Sequence, residues 1–180
     1  AIAGLVAIWG CDEGGERASS AGHTGVVSSA TAPATSTATS ATLAGVTGAR
    51  GTLLETLTWE QAESRLTPTT VVVLPIGARA KEHGPHLQLD NDWRIAEYFK
   101  AFVLAEADVV VAPTLAYHHY PAFFEYPGST SLRLETARDV VVDICVSLAR
   151  HGPRRFYALN TGVSTVKALA PAAELLAAHG

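Results

Sequence analysis

Val71-Val72-Val73-Leu74-Pro75-Ile76-Gly77 is an unbroken apolar run, rich in β-branched side chains and closed by a glycine. That length and composition predict a strand buried on both faces, as in a parallel sheet. The residues that follow are of the opposite kind. Glu82-His83-Gly84-Pro85-His86 and Asp90-Asn91-Asp92 place two imidazoles and three carboxylates within eleven residues. A strand hands such a cluster to its carboxyl end, where the ligand sites of open α/β sheets form. Gly84 and Pro85 interrupt regular structure between the histidines, so a loop presents them, not a helix face.

Imidazole combined with carboxylate is a donor set for zinc, manganese or a similar divalent ion, with His83 and Asp92 as first ligands and Glu82 as a third. A second reading of the same residues has His83 capping a turn, His86 as a buried hydrogen-bonded histidine, and Asp90 or Asp92 opening the next helix. Asp and Asn are good N-caps, and for Asp90 alone the capping role is the preferred one.

Working outward from strand 71–76, the pattern continues with helix 92–106, strand 109–113, helix 135–151, strand 156–160 and helix 164–178. Regular alternation implies right-handed βαβ crossovers and an α/β fold, a mainly parallel sheet with helices on both faces in three layers. Upstream, Thr58-Trp59-Glu60-Gln61-Ala62-Glu63 has the cap-then-amphipathic pattern of a short helix. In helix 92–106, Trp93, Ala96, Phe99 and Val103 recur at helical spacing and read as core contacts. Cys145 reads as a buried small hydrophobe. Pro171 is expected to kink or split the last helix. The apolar run Leu169 to Ala178 has nothing after it to cover it, which implies further sequence or a partner such as a second copy.

Leu74-Pro75-Ile76-Gly77, Glu82-His83-Gly84-Pro85-His86-Leu87 and Asp92 resemble the signature of the creatininase (creatinine amidohydrolase) family, in which a strand ending in Pro-x-Gly leads to Glu-x-His-Gly-Pro-His-Leu-Pro and an Asp. Tyr126-Pro127-Gly128-Ser129-Thr130-Ser131-Leu132 resembles the family's Phe-Pro-Gly-Thr-x-Ser-Leu segment, and Leu148 to Arg155 the end of its next helix. The likeness runs from about Leu54 to the last residue. It implies a metal-dependent amidohydrolase with two divalent ions, held by Glu, His and Asp of the first motif and by His and Glu of a later Asn-Gly-His loop. In those terms His83 is the first-motif histidine and Asp92 the carboxylate that bridges both ions.

Two departures accompany the resemblance. The family's first-motif Glu stands two residues before the His, whereas Glu82 is adjacent to His83 and the spacing from Gly77 is one residue longer. The later loop reads Asn160-Thr161-Gly162-Val163-Ser164-Thr165, with Gly162 where the ligand His would be and Ser164 where the Glu would be. With an imidazole and a carboxylate gone, a second ion is expected to be weak or absent. Replacement donors are sought in Tyr117-His118-His119-Tyr120 and in Glu125, which follow strand 109–113 onto the same edge of the sheet. In an extended segment His118 and His119 point to opposite sides, so one of them faces the site. An aromatic lid is the alternative use of that segment. His86, Thr161 and Ser164 complete the candidate set.

The chemistry so implied is attack of a metal-bound water on the carbonyl of a small cyclic or linear amide, with Glu82 carrying the proton. The alternative is a catalytically inactive relative that binds a small ligand or one structural metal, which Gly162 and Ser164 favour.

Composition bounds the rest. A chain of 180 residues, 48% hydrophobic and 17% charged, buries one core of ordinary domain size. A net charge of −4 with scattered Lys and Arg forms no basic stripe, which argues against a nucleic-acid partner. Residues 1–11 are an apolar stretch too short to span a bilayer, and Gly10-Cys11 resembles a bacterial lipoprotein cleavage box. The expectation is a signal-like segment with a lipid anchor at Cys11 and an extracytoplasmic, membrane-anchored protein; a cytoplasmic chain is the alternative. Residues 12–52 are dominated by Ser, Thr, Ala and Gly and cannot offset their ordering entropy by burial, so they read as a disordered tether to a domain spanning 53–180.

Overall fold

The apolar run after Thr70 forms β3 (Val71–Ile76), with every residue from Val72 onward buried. Such burial stabilises the fold by about 1.5–3 kcal/mol per large aliphatic side chain. The computed structural model describes residues 3–7 and 48–179. Cys11 and most of the Ser/Thr/Ala-rich stretch lie outside the described residues.

On one side β3 pairs with β5 (Arg155–Asn160), in register from Val71 opposite Arg155 to Ile76 opposite Asn160; on the other it pairs with β4 (Val110–Val111). β1 (Ala3–Ala7) flanks β5 and β2 (Thr52–Leu53) flanks β4, giving the order β1-β5-β3-β4-β2 with every pairing parallel. The backbone of Ala3–Ala7, expected from sequence to be the apolar part of a signal-like segment, is here an edge strand.

Among the described residues four helices cover the sheet: α1 (Trp59–Arg65), α2 (Asn91–Glu106), α3 (Leu134–Ala149) and α4 (Val166–Ala178). α1 begins with a capping box, in which Gln61 N–H donates to the Thr58 hydroxyl at 3.3 Å and Thr58 N–H to Gln61 Oε1 at 2.9 Å. Strand alternation divides the core. Val72, Leu74 and Ile76, with Phe156 and Ala158, pack against Val141 and Cys145 of α3 and Leu169 and Leu176 of α4. Val73 and Leu159 point the other way, into a cluster joined by Val103 and Leu104 of α2. The result is the expected three-layer α/β/α arrangement. No helix among the described residues is long and apolar enough to cross a membrane.

The path from β3 through α2 leads to β4, and the path from β4 through α3 returns past β3 to β5. Opposite directions with helices on opposite faces keep the same hand of crossover. The neighbours β3 and β5 therefore send their outgoing chains to opposite faces, to α2 and to α4. A crevice opens between such strands at their carboxyl ends.

Several elements differ from the sequence expectation, each for a local reason. Strand 109–113 shrinks to Val110–Val111: Ala112 N–H still donates to Val73 O at 2.8 Å, and beyond Pro113, which has no N–H, the next bond to β3 is from Leu115 N–H to Pro75 O at 2.9 Å. Phe99 does not enter the core: it is 45% exposed, while Ala96 is fully buried. Ile95, Tyr98, Phe99 and Phe102 instead form an exposed apolar stripe on α2. α4 continues through Pro171 as one helix, and the carbonyl deprived of a partner belongs to Lys167, an exposed residue within reach of water. The apolar face of α4 is covered: Ala168, Leu169, Ala172 and Leu176 are buried against α3 and the sheet. Cys145 is fully buried as expected, and burial pushes its thiol pKa up to about 12.

Candidate functional site

To bring its first turn to the end of β3, α2 must pass very close to the strand. Gly77 permits this, since a Cβ there would lie 2.5 Å from Asp92 O and 2.7 Å from Ala96 Cβ. The Thr161 hydroxyl donates to Ile76 O at 3.1 Å and to Asp92 O at 3.0 Å, so the ends of β3, β5 and α2 are tied at one point. Gly77→Ala should lower stability by about 1–3 kcal/mol, because backbone and not a flexible side chain stands in the way. A urea titration reads this as a lower midpoint at unchanged slope.

Asp92 lies in the first turn of α2, where the helix dipole favours a carboxylate, and it is 6% exposed. His83 Nε2 is 2.8 Å from Asp92 Oδ1. The approach is off the line of a hydrogen bond, and neither ring nitrogen of His83 has a hydrogen-bond partner among the described residues. The other oxygen, Oδ2, accepts from Lys81 Nζ at 2.5 Å. Lys81 is itself 7% exposed, and its ammonium lies 5.6 Å from the Tyr120 ring centroid and 4.9 Å from that of Phe123. A carboxylate and two aromatic faces thus enclose one ammonium.

Sequence reading singled out His83 and Asp92, which the fold brings together, and missed Lys81. The signal was present: Lys81 stands two residues before His83, the position of the Glu in the family pattern. Glu82, expected as a ligand and proton carrier, turns back on its own loop, its Oε1 accepting from Gly84 N–H at 2.5 Å. Gly84, at φ 90°, makes that turn, which confirms the loop presentation. His86 and Glu125 are exposed. Asp90 occupies the N-cap position of α2 without a capping hydrogen bond; its carboxylate accepts from Arg94 Nε at 2.9 Å.

The loop after β5 is closed on itself. Asn160 Nδ2 donates to Gly162 O at 2.7 Å, Gly162 N–H to Asn160 Oδ1 at 3.1 Å, and the buried Thr165 hydroxyl bonds both oxygens. Ser164 is half-buried beside it. Of the two neighbouring histidines, His119 Nδ1 lies 3.0 Å from Leu132 O, whereas His118 is fully buried with both ring nitrogens unpartnered among the described residues. Burial first, and the neighbouring His119 second, lower the His118 pKa to about 4. Its ring centroid is 6.5 Å from that of Tyr120, so it approaches the site through that ring. The Tyr120 hydroxyl is buried and unpartnered among the described residues, and burial, then Asp92, raise its pKa.

The two-ion centre implied by the resemblance does not fit these residues. The unpartnered His83 imidazole beside Asp92 is the one feature that suits an ion. Against it, the ammonium of Lys81 already occupies Asp92, and a divalent ion about 4 Å from an ammonium is repelled by roughly 8 kcal/mol at an effective dielectric near 20. Gly162 and Ser164 supply neither imidazole nor carboxylate. Among the described residues no group of three His, Cys, Asp or Glu side chains is placed to hold a metal.

Fold and site together define a parallel three-layer α/β protein with a polar site at the switch point of its sheet, a placement shared by many ligand-binding α/β proteins. The creatininase family model, described as creatinine amidohydrolase, matches residues 55–180, and the chain belongs to that family. It is 33% identical over 116 residues to a mycofactocin precursor peptide peptidase of Mycolicibacterium smegmatis, covering 61% of this chain and 46% of the relative. It is also 33% identical over 110 residues to the creatinine amidohydrolase of Pseudomonas putida, covering 58% and 42%. A solved manganese creatininase superposes with a TM-score of 0.66 at 27% identity, over 72% of this chain and 52% of that one. A zinc–zinc form of a creatininase mutant gives 0.61 at 29% identity, over 71% and 53%. The chain spans about half the length of the curated relatives it matches.

Proposed function

We propose that this chain is an amidohydrolase-type domain that receives a small cyclic or linear amide at the carboxyl ends of β3 and β5. The observation that supports this reading is the meeting of His83 and Asp92, the two ligand side chains that match the family's first motif, 2.8 Å apart at the switch point. They set an imidazole beside a carboxylate: with Nε2 2.8 Å from Asp92 Oδ1, the unpartnered Nδ1 is the atom that would take a proton from an attacking water. The ammonium of Lys81, bonded to Oδ2, holds the Asp92 side chain in place. The family's divalent ions, where they are bound, supply an activated water; the donor set here does not support that route.

A second reading, a catalytically inactive relative that binds a small ligand, is favoured by the same Lys81–Asp92 pair, which leaves the carboxylate already neutralised. A panel of lactams, creatinine and short peptides, offered with and without zinc or manganese, separates the two. Turnover lost in His83→Ala supports the hydrolase. Stabilisation without turnover, reaching about 2.7 kcal/mol at a hundredfold excess over Kd, supports the binder. Neither response defeats both. We also propose a lipid anchor at Cys11 and self-association of the chain; mass spectrometry of the mature amino terminus and light scattering decide them.

A further inference from the structure

We infer that Lys81 supplies from within the chain the positive charge that the relatives named for manganese and zinc take from metal ions, and that its ammonium excludes a divalent ion from this site. Three observations converge. Lys81 holds the sequence position, two before His83, at which the family pattern has a carboxylate. Its Nζ contacts the one carboxylate that remains, at 2.5 Å, and is 4.9 and 5.6 Å from two aromatic rings, so it is seated in a cation site. The other lost ligands leave no competing pull, since Gly162 and Ser164 offer neither imidazole nor carboxylate, and Asn160, Gly162 and Thr165 of that loop bond one another.

The exchange is charge-balanced. A two-ion centre needs several carboxylates and imidazoles around it. Here one ammonium faces one carboxylate, with His83 as the single imidazole against the pair. Replacing a first-motif carboxylate by lysine removes a ligand and adds a repelling charge in one substitution. The loss of the remaining ligands at Gly162 and Ser164 then costs the site nothing.

The test needs no substrate, so its outcome is independent of whether the chain hydrolyses amides. The full chain is titrated calorimetrically with zinc and with manganese, and dialysed samples are analysed for metal. Wild type should bind well under one ion per chain at the site. Lys81→Glu, which removes the ammonium and adds a carboxylate beside His83 and Asp92, should raise affinity at least about tenfold. Lys81→Gln, which removes the charge alone, should give a smaller gain and serves if Lys81→Glu does not fold. On the wild-type chain, saturating zinc should leave the slow modification of the Lys81 amine by an amine-reactive reagent unchanged. A stoichiometric wild-type ion lost in both His83→Ala and Asp92→Ala overturns the inference. So does acceleration of Lys81 modification by zinc, or a folded Lys81→Glu protein with no gain in affinity.

Discussion

Lys81→Met should lower folding stability by about 3–5 kcal/mol at neutral pH, the usual consequence of removing one partner of a buried ion pair. Both side chains are only 9% exposed, so solvent does little to screen the carboxylate left behind. Its nearest remaining neighbour is His83, and the dipole of α2 alone does not replace a full positive charge. The double variant Lys81→Met/Asp92→Leu should recover most of the loss, because removing both charges together leaves neither one stranded in the core. Urea denaturation of the single and double variants completes the cycle. A loss below about 1 kcal/mol in the single variant would place the pair in the class of exposed salt bridges and contradict the enclosed geometry.

His118 should make the fold acid-sensitive over a defined window. Its pKa is about 4 in the folded chain and 6.5 when unperturbed, and the leading cause is burial. Above pH 6.5 the imidazole is neutral in both states and contributes nothing to the pH dependence. As pH falls from 6.5 toward 4, the unfolded chain takes up a proton that the folded chain resists, and stability drops. The loss approaches roughly 3 kcal/mol near pH 4. His118→Phe removes this titration, so its stability difference between pH 7 and pH 4 should be smaller than that of wild type by that amount. Equal acid sensitivity in the two proteins would show that His118 has a solvent path or a partner that takes up the proton.

Much of the architecture was legible in the sequence because its signals are local and strong. Val71–Ile76 has the β-branched composition of a strand buried on both faces, and its bounds were read correctly. Thr58 and Gln61 announce the start of α1 by a pairing that spans only three residues. The site's position followed from the same strand, since whatever comes after a parallel strand is delivered to the sheet's carboxyl edge. Features that depend on distant neighbours were not legible. The cover over α4 comes from α3, which precedes it by a strand and a loop. The helical spacing of Phe99 resembles that of Ala96, but only the sheet's edge decides which of them is covered.

Within the site the division is the same. His83 and Asp92 were legible because imidazole and carboxylate are recognisable donors close in sequence. Glu82 was expected to turn toward them, yet the Gly84 N–H two residues on is a nearer partner for its carboxylate. Lys81 went unread because a search for ligands passes over an ammonium, although its position in the motif marks where a ligand was replaced. The closed Asn160–Gly162–Thr165 network explains how the loop can lack both a His and a Glu and remain ordered.

A crystal structure of the full chain grown with manganese, with anomalous data collected at the metal's absorption edge, decides whether Lys81 or a metal ion occupies Asp92. The expected map has no anomalous peak between His83 and Asp92, and the Lys81 ammonium is seated on Asp92 Oδ2, as it is here. A manganese peak coordinated by His83 and Asp92, with the Lys81 side chain turned away, would contradict it.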